Sequence, residues 1–176
     1  MRKLKNEELN RITIEEFKKS EKIPLIIVLD NVRSLNNIGS IFRTADAFRV
    51  EAIYLCGITA QPPHREIEKT ALGATASVHW EYFKNTVDAI GKLKNERYIV
   101  LAIEQVDKSI MLNEFIVESN KKYAVIFGHE INGVGEDAIK IAYRCIEIPQ
   151  TGTKHSLNIA VSAGIVLWDF FMKLQK

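Results

Sequence analysis

The sequence predicts an α/β fold built on a mainly parallel sheet, and three observations carry that reading. Short, continuous apolar runs rich in β-branched residues recur along the chain, each the length of a strand buried on both faces. Segments with helical periodicity lie between them, so strand and helix alternate. Loops supplied with Gly, Asn and Ser follow several of the runs, at the strand ends where open α/β sheets bind ligands.

The first 24 residues differ from the rest, with seven basic and five acidic side chains. Within them Thr13 and Glu16 have the spacing of a capping box for a short helix, which Pro24 stops short of the first strand. We read residues 1–24 as a charged helical appendage and 25–176 as a single domain. The appendage is a solvated helix over one edge of the sheet, or else an arm that meets RNA phosphates through Lys3, Lys5, Arg11, Lys18 and Lys19. The interleaved glutamates favour the solvated helix. The first strand then spans Leu25 to Leu29, followed by a helix from Ile38 to Phe48 and a second strand from Ala52 to Cys56. A helix from Glu66 to Leu72 leads to an edge strand within Ala76 to Phe83, and a further helix covers Val87 to Lys94. Strands at Tyr98 to Ile103, Tyr123 to Phe127 and Cys145 to Ile148 follow, with a helix at Glu136 to Ala142 before the last of them. The final helix runs from about Ser156 to Leu174.

With 176 residues, 47% of them hydrophobic, the chain is long enough to bury one substantial core. Its net charge of +2 is too small to argue for or against nucleic acid, because phosphate binding depends on clustering rather than on the sum. Cys56 and Cys145 are the only cysteines, too few for a metal cluster or a disulfide framework, and both fall in strand-like runs. They read as reduced core thiols of a cytoplasmic protein. The longest apolar stretch is broken by Ser162, Gly164 and Asp169, which argues against a membrane span, and no early run resembles a signal peptide.

Three loops hold the residue types that carry chemistry. The first, DNVRSLNNIGSIFRTAD, places Asn37 six residues before Arg43, and we expect both to reach one strand-end crevice, with Arg43 as a bidentate phosphate grip. Taken singly, Asn37 is as well explained as a helix cap and Arg43 as an ion pair with Asp46. The second, FGHEINGVGED, surrounds Glu130 with three glycines, which implies a sharp turn approached closely by something. Its G-x-x-x-x-G-x-G order is neither a dinucleotide fingerprint nor a P-loop. His129 reads as a structural donor rather than a general base. The third, IPQTGTKHSLNIAVSAGIVLW, puts Ser156, Leu157 and Asn158 at a helix start, a place suited to electron-rich ligand atoms. His155 beside Ser156 lacks the G-x-S-x-G elbow of a hydrolase.

Together and in this order, NNIGSIFRTAD, VIFGHEINGVG and IPQTGTKHSLNIAVSAGIVLW closely resemble the three motifs of the SpoU/TrmH family of RNA ribose methyltransferases, within the SPOUT superfamily. The resemblance spans about residues 25 to 172. It implies a Rossmann-like domain with a C-terminal trefoil knot that binds S-adenosylmethionine, a homodimer, and methyl transfer to a ribose 2′-hydroxyl without a metal. A knot is not something periodicity reveals. Carried over by position, the cofactor contacts fall on Gly128, Ile148 and Leu157, with Ile103 as a further member. Arg43 corresponds to the catalytic arginine, and Asn37, Glu130, Ser156 and Asn158 to the polar positions around it. Because an arginine stays protonated, Arg43 is expected to hold a phosphate and stabilise negative charge rather than act as a base. The chain departs from the common pattern at His129 and Gln150. A tRNA substrate is favoured over ribosomal RNA. A catalytically silent RNA-binding dimer would be free to lose some of these polar residues, and a nucleotide-dependent oxidoreductase would need a different glycine spacing.

Overall fold

The computed structural model describes residues 1–175. Seven strands form one sheet in the order β3-β2-β1-β6-β4-β7-β5. They are β1 (Ile23–Asp30), β2 (Val50–Cys56), β3 (His79–Phe83), β4 (Tyr98–Ile103), β5 (Ile110–Met111), β6 (Lys122–Phe127) and β7 (Arg144–Glu147). All neighbouring strands are parallel, as the continuous apolar runs require.

Alternation along β1 divides the core. Leu25, Ile27 and Leu29 face one layer with Phe42, Leu167 and Phe170, whereas Ile26 and Val28 face the other with Ile90, Leu93 and Ala138. The first layer belongs to α2 (Leu35–Ala47), α3 (Arg65–Ala71), α4 (Ala74–Ser77) and α7 (Ile159–Leu174), and the second to α5 (Thr86–Asn95) and α6 (Glu136–Ile141). Among the described residues no helix is long and apolar enough to cross a membrane.

The Thr13–Glu16 capping box is present: Glu16 N–H donates to Thr13 Oγ1 at 3.2 Å and Thr13 N–H to Glu16 Oε2 at 2.7 Å. It opens α1 (Ile14–Lys19), which packs on α4 and inserts the buried Phe17 into the first core layer.

Most element ends fall within a few residues of the sequence reading, and three differences go further. The segment Ala76 to Phe83 is not one strand, because Ser77 ends α4 with its hydroxyl on the Ala74 carbonyl before β3 begins at His79. The two-residue β5 was not foreseen. The last helix starts at Ile159 rather than near Ser156, since Asn158 is its cap and accepts from Ala160 N–H at 2.9 Å and Val161 N–H at 3.3 Å.

Candidate active site

The carboxyl ends of β4, β6 and β7 open onto a cleft of about 440 Å³, a size suited to a small ligand. Ile103, Phe127, Ile146, Ile148, Leu157 and Ile159 give it an apolar lining, and Glu104, His129, Glu130, Gln150, His155, Ser156 and Asn158 supply polar atoms.

One wall is the turn after β6. His129 and Gly133 pair across it, His129 N–H donating to Gly133 O at 3.0 Å and Gly133 N–H to His129 O at 2.8 Å. A Cβ on Gly128 would lie 2.0 Å from the Gly133 carbonyl carbon, so the close approach implied by the glycines is that of the turn's own returning backbone. Gly133 has φ +68°, a conformation open to glycine at little strain. The His129 Nδ1 accepts from Ile131 N–H at 3.0 Å and Asn132 N–H at 3.3 Å. With that lone pair engaged, the proton of the neutral ring is on Nε2 and the side chain braces the turn.

Glu130 joins this turn to the loop before α2. Its carboxylate accepts from Ser34 N–H at 2.8 Å and Arg33 N–H at 3.1 Å. Burial opposes its ionisation, but these N–H groups and the Asn37 amide outweigh it and hold the carboxyl below its ordinary value. A carboxylate so placed orients two loops; it is not poised as a base. The α2 cap is Ser34, which accepts from Asn37 N–H at 3.3 Å, and this frees the Asn37 side chain to accept from Asn158 Nδ2 at 3.2 Å. Asn158 thus caps α7 and binds the first loop at once.

Of the residues singled out from sequence, Ile103, Gly128, Glu130, Ile148, Ser156, Leu157 and Asn158 line this one cleft, and Asn37 reaches it through Asn158. Arg43 does not join them within the chain. It lines a separate cleft of about 660 Å³ with Arg11, Arg49 and residues of α1, α3 and α4. The reason is helical rotation: six residues turn about 600°, which leaves the Arg43 and Asn37 side chains roughly 120° apart. Nor does Arg43 pair with Asp46, which takes the Ser77 hydroxyl instead. Glu104 lines the first cleft without having been singled out, and Gln150 and His155, noted in the sequence without a site role, line it too. Glu104 had a legible signal, as the residue immediately after a buried strand at its carboxyl end.

Residues 24–168 match the model of the SpoU rRNA Methylase family. The chain belongs to that family. Among SpoU relatives, the tRNA (guanosine(18)-2′-O)-methyltransferase of Thermus thermophilus is 30% identical over 162 residues, covering 92% of this chain and 81% of its own length. The crystal structure of the Aquifex aeolicus TrmH/SpoU tRNA modifying enzyme superposes with a TM-score of 0.79 at 29% identity, over 92% of this chain and 80% of that one. An S-adenosylmethionine-bound rRNA methyltransferase from Sinorhizobium meliloti superposes with a TM-score of 0.80 at 27% identity, over 90% of this chain and 60% of that one.

Proposed function

We propose that this SpoU-family chain transfers a methyl group from S-adenosylmethionine to a ribose 2′-hydroxyl of RNA, with tRNA as its substrate. The single observation that carries the reading is one cleft, apolar in its lining and polar at its rim, that the second and third motif loops line and to which Glu130 and Asn158 tie the first. That lining suits an adenosine, with Ile103, Ile148 and Leu157 against the ring and the turn at Gly128 offering main-chain atoms to its edge. Bound there, the cofactor supplies a methyl group already activated on a sulfonium, which leaves as a neutral thioether. The tRNA assignment follows the Thermus and Aquifex relatives, both tRNA enzymes matched over most of their length.

Methyl transfer needs the ribose oxygen held in line with the methyl group: the new C–O bond forms as the C–S bond breaks, and the hydroxyl proton passes to solvent at the exposed mouth of the cleft. Glu130 and Asn158 fix the loops that frame it, and Ser156 stands on the exposed loop at the mouth of the cleft. Arg43 holds the adjacent phosphate and stabilises charge developing on the oxygen. Its cleft also contains Arg11 and Arg49, a cationic path for the RNA backbone to which the N-terminal segment contributes.

Since Arg43 faces away from the ligand cleft of its own chain, the complete site is formed by two copies, Arg43 of one serving Ser156 and Asn158 of the other. An apolar stripe supports this homodimer: Val161, Ile165, Trp168 and Met172 recur on one face of α7 and are 52, 38, 54 and 45% exposed. The C-terminal segment forms the family's trefoil knot in this reading, supported by β4 lying between β6 and β7 and by the return of α7 across to α2.

Mass spectrometry of nucleosides from a tRNA transcript treated with protein and S-adenosylmethionine is the test. The wild type is expected to yield a 2′-O-methylnucleoside, and Arg43→Ala and Ile148→Arg are each expected to be inactive. Co-expressed, the two variants should recover about a quarter of the wild-type rate, because half of the dimers are mixed and one of their two sites is whole. Absence of product from the wild type would refute the function, and absence of recovery would refute the shared site.

A further inference from the structure

We infer that Glu104 is a positioning residue for the cofactor, holding the turn after β6 at the distance the ligand cleft requires. It rests on the reading of this cleft as the S-adenosylmethionine site. Glu104 is half-buried on the cleft wall, next to Ile103, and is fixed from both ends. Its main-chain N–H donates to Ile146 O at 3.1 Å, which prolongs the pairing of β4 with β7. Its carboxylate accepts from Gln105 N–H at 2.9 Å through Oε1 and from Val134 N–H at 2.9 Å through Oε2. The second bond crosses from β4 to the far limb of the glycine turn, 30 residues on.

The turn is shaped to receive this carboxylate. A Cβ on Gly133 would lie 2.1 Å from Glu104 Oε2, so a side chain there would displace the carboxylate from its bond to Val134. Asp30, buried at the end of β1, takes the next N–H along, that of Gly135, at 2.8 Å. Adjacent amides of the turn are therefore held by two carboxylates, Asp30 at the end of β1 in the core and Glu104 just past the end of β4 at the cleft. Both Glu104 oxygens already accept N–H bonds, and among the described residues no Lys, Arg or His forms an ion pair with it. The side chain therefore acts by holding Gly128 and Gly133 in register with Ile103 and Ile146 rather than by moving a proton.

Glu104→Gln keeps the length but presents an amide N–H₂ to one of the two donors. S-adenosylhomocysteine and S-adenosylmethionine should both bind about tenfold more weakly by calorimetry, the scale of one lost charge-assisted bond. The rate at saturating cofactor should stay within about twofold of wild type, so the effect falls on KM and not on kcat. Hydrogen exchange of the ligand-free protein should quicken over residues 128–135, a readout that does not depend on which ligand the cleft takes. Gly133→Ala should weaken binding in the wild type and less in Glu104→Ala, where the atom it strikes is gone and only the backbone strain at φ +68° remains. Unchanged exchange in the turn would overturn the proposal, as would unchanged affinity, a loss confined to the cationic S-adenosylmethionine, or additive behaviour of the two substitutions. Failure of the wild type to bind either cofactor form would instead overturn the functional reading, with the exchange result still deciding the role of Glu104.

Discussion

Replacing Glu130 by glutamine probes the joint between the first two motif loops. Its carboxylate receives two main-chain N–H groups, from Ser34 at 2.8 Å and Arg33 at 3.1 Å, from a loop 96 and 97 residues away. A hydrogen bond to a charged group contributes about 1.5–3 kcal/mol when well shielded, and exposure of this side chain reduces the pair to about 2 kcal/mol in all. Glutamine keeps one acceptor oxygen and turns its amide toward the other donor, so about 1 kcal/mol should be lost. For a chain of this size that corresponds to a fall in Tm of about 3 °C. The folded pKa of Glu130 is lowered, so its contribution is complete above the unfolded carboxyl value, about 4.3, and disappears as pH falls through the folded value. Thermal unfolding of wild type and Glu130→Gln from pH 8 to pH 3 should show a constant difference down to about pH 5 that closes below pH 4. Other carboxylates titrate alike in both proteins and cancel in the difference. A gap that persists unchanged at pH 3, or no gap at pH 7, would refute an ionised Glu130 tying the loops.

The turn after β6 and the buried end of β2 each allow a further test. Gly128→Ala places a methyl carbon 2.0 Å from rigid main chain, so the turn must open; S-adenosylhomocysteine binding should fall at least about 100-fold, a loss of about 2.7 kcal/mol, and retained affinity in titration calorimetry would sink that account. Burial pushes the Cys56 thiol up to about 12, against the lowering effect of Thr86. Peptide mapping after iodoacetamide at pH 8 should find Cys56 unmodified in the native protein and alkylated in guanidinium, and native labelling would show the β2 end to be open.

The sheet was legible because a strand buried on both faces must be apolar at every position, and the runs at Leu25 to Leu29, Ala52 to Cys56, Tyr98 to Ile103 and Tyr123 to Phe127 all fall inside observed strands. The capping box at Thr13 was legible for a similar reason, since its chemistry is complete within four residues. Where long-range contacts decide, local patterns were insufficient. Ser156 and Asn158 are both good helix caps, and Asn158 is the one used, with its free amide hydrogen-bonded to Asn37, 121 residues away. The pair Ile110–Met111 becomes a strand through β7, not through any pattern of its own.

The cleft residues were found by motif, but the direction of Arg43 is a property of α2 as a packed body. Ile38, Ile41, Phe42 and Ala45 must face the core, and they fix the rotation of the helix. Arg43 is then committed to the flank shared with α1 and α4, while Asn37 is committed to the α7 cap. Reorienting Arg43 within its own chain would expose that apolar face, about 0.8 kcal/mol for each methylene returned to water. No rotamer change spans so large a rotation of the helix face. The packing that makes the ligand cleft and the arginine rigid thus also holds them apart within one chain, and that separation is what the proposed site shared between two copies would answer.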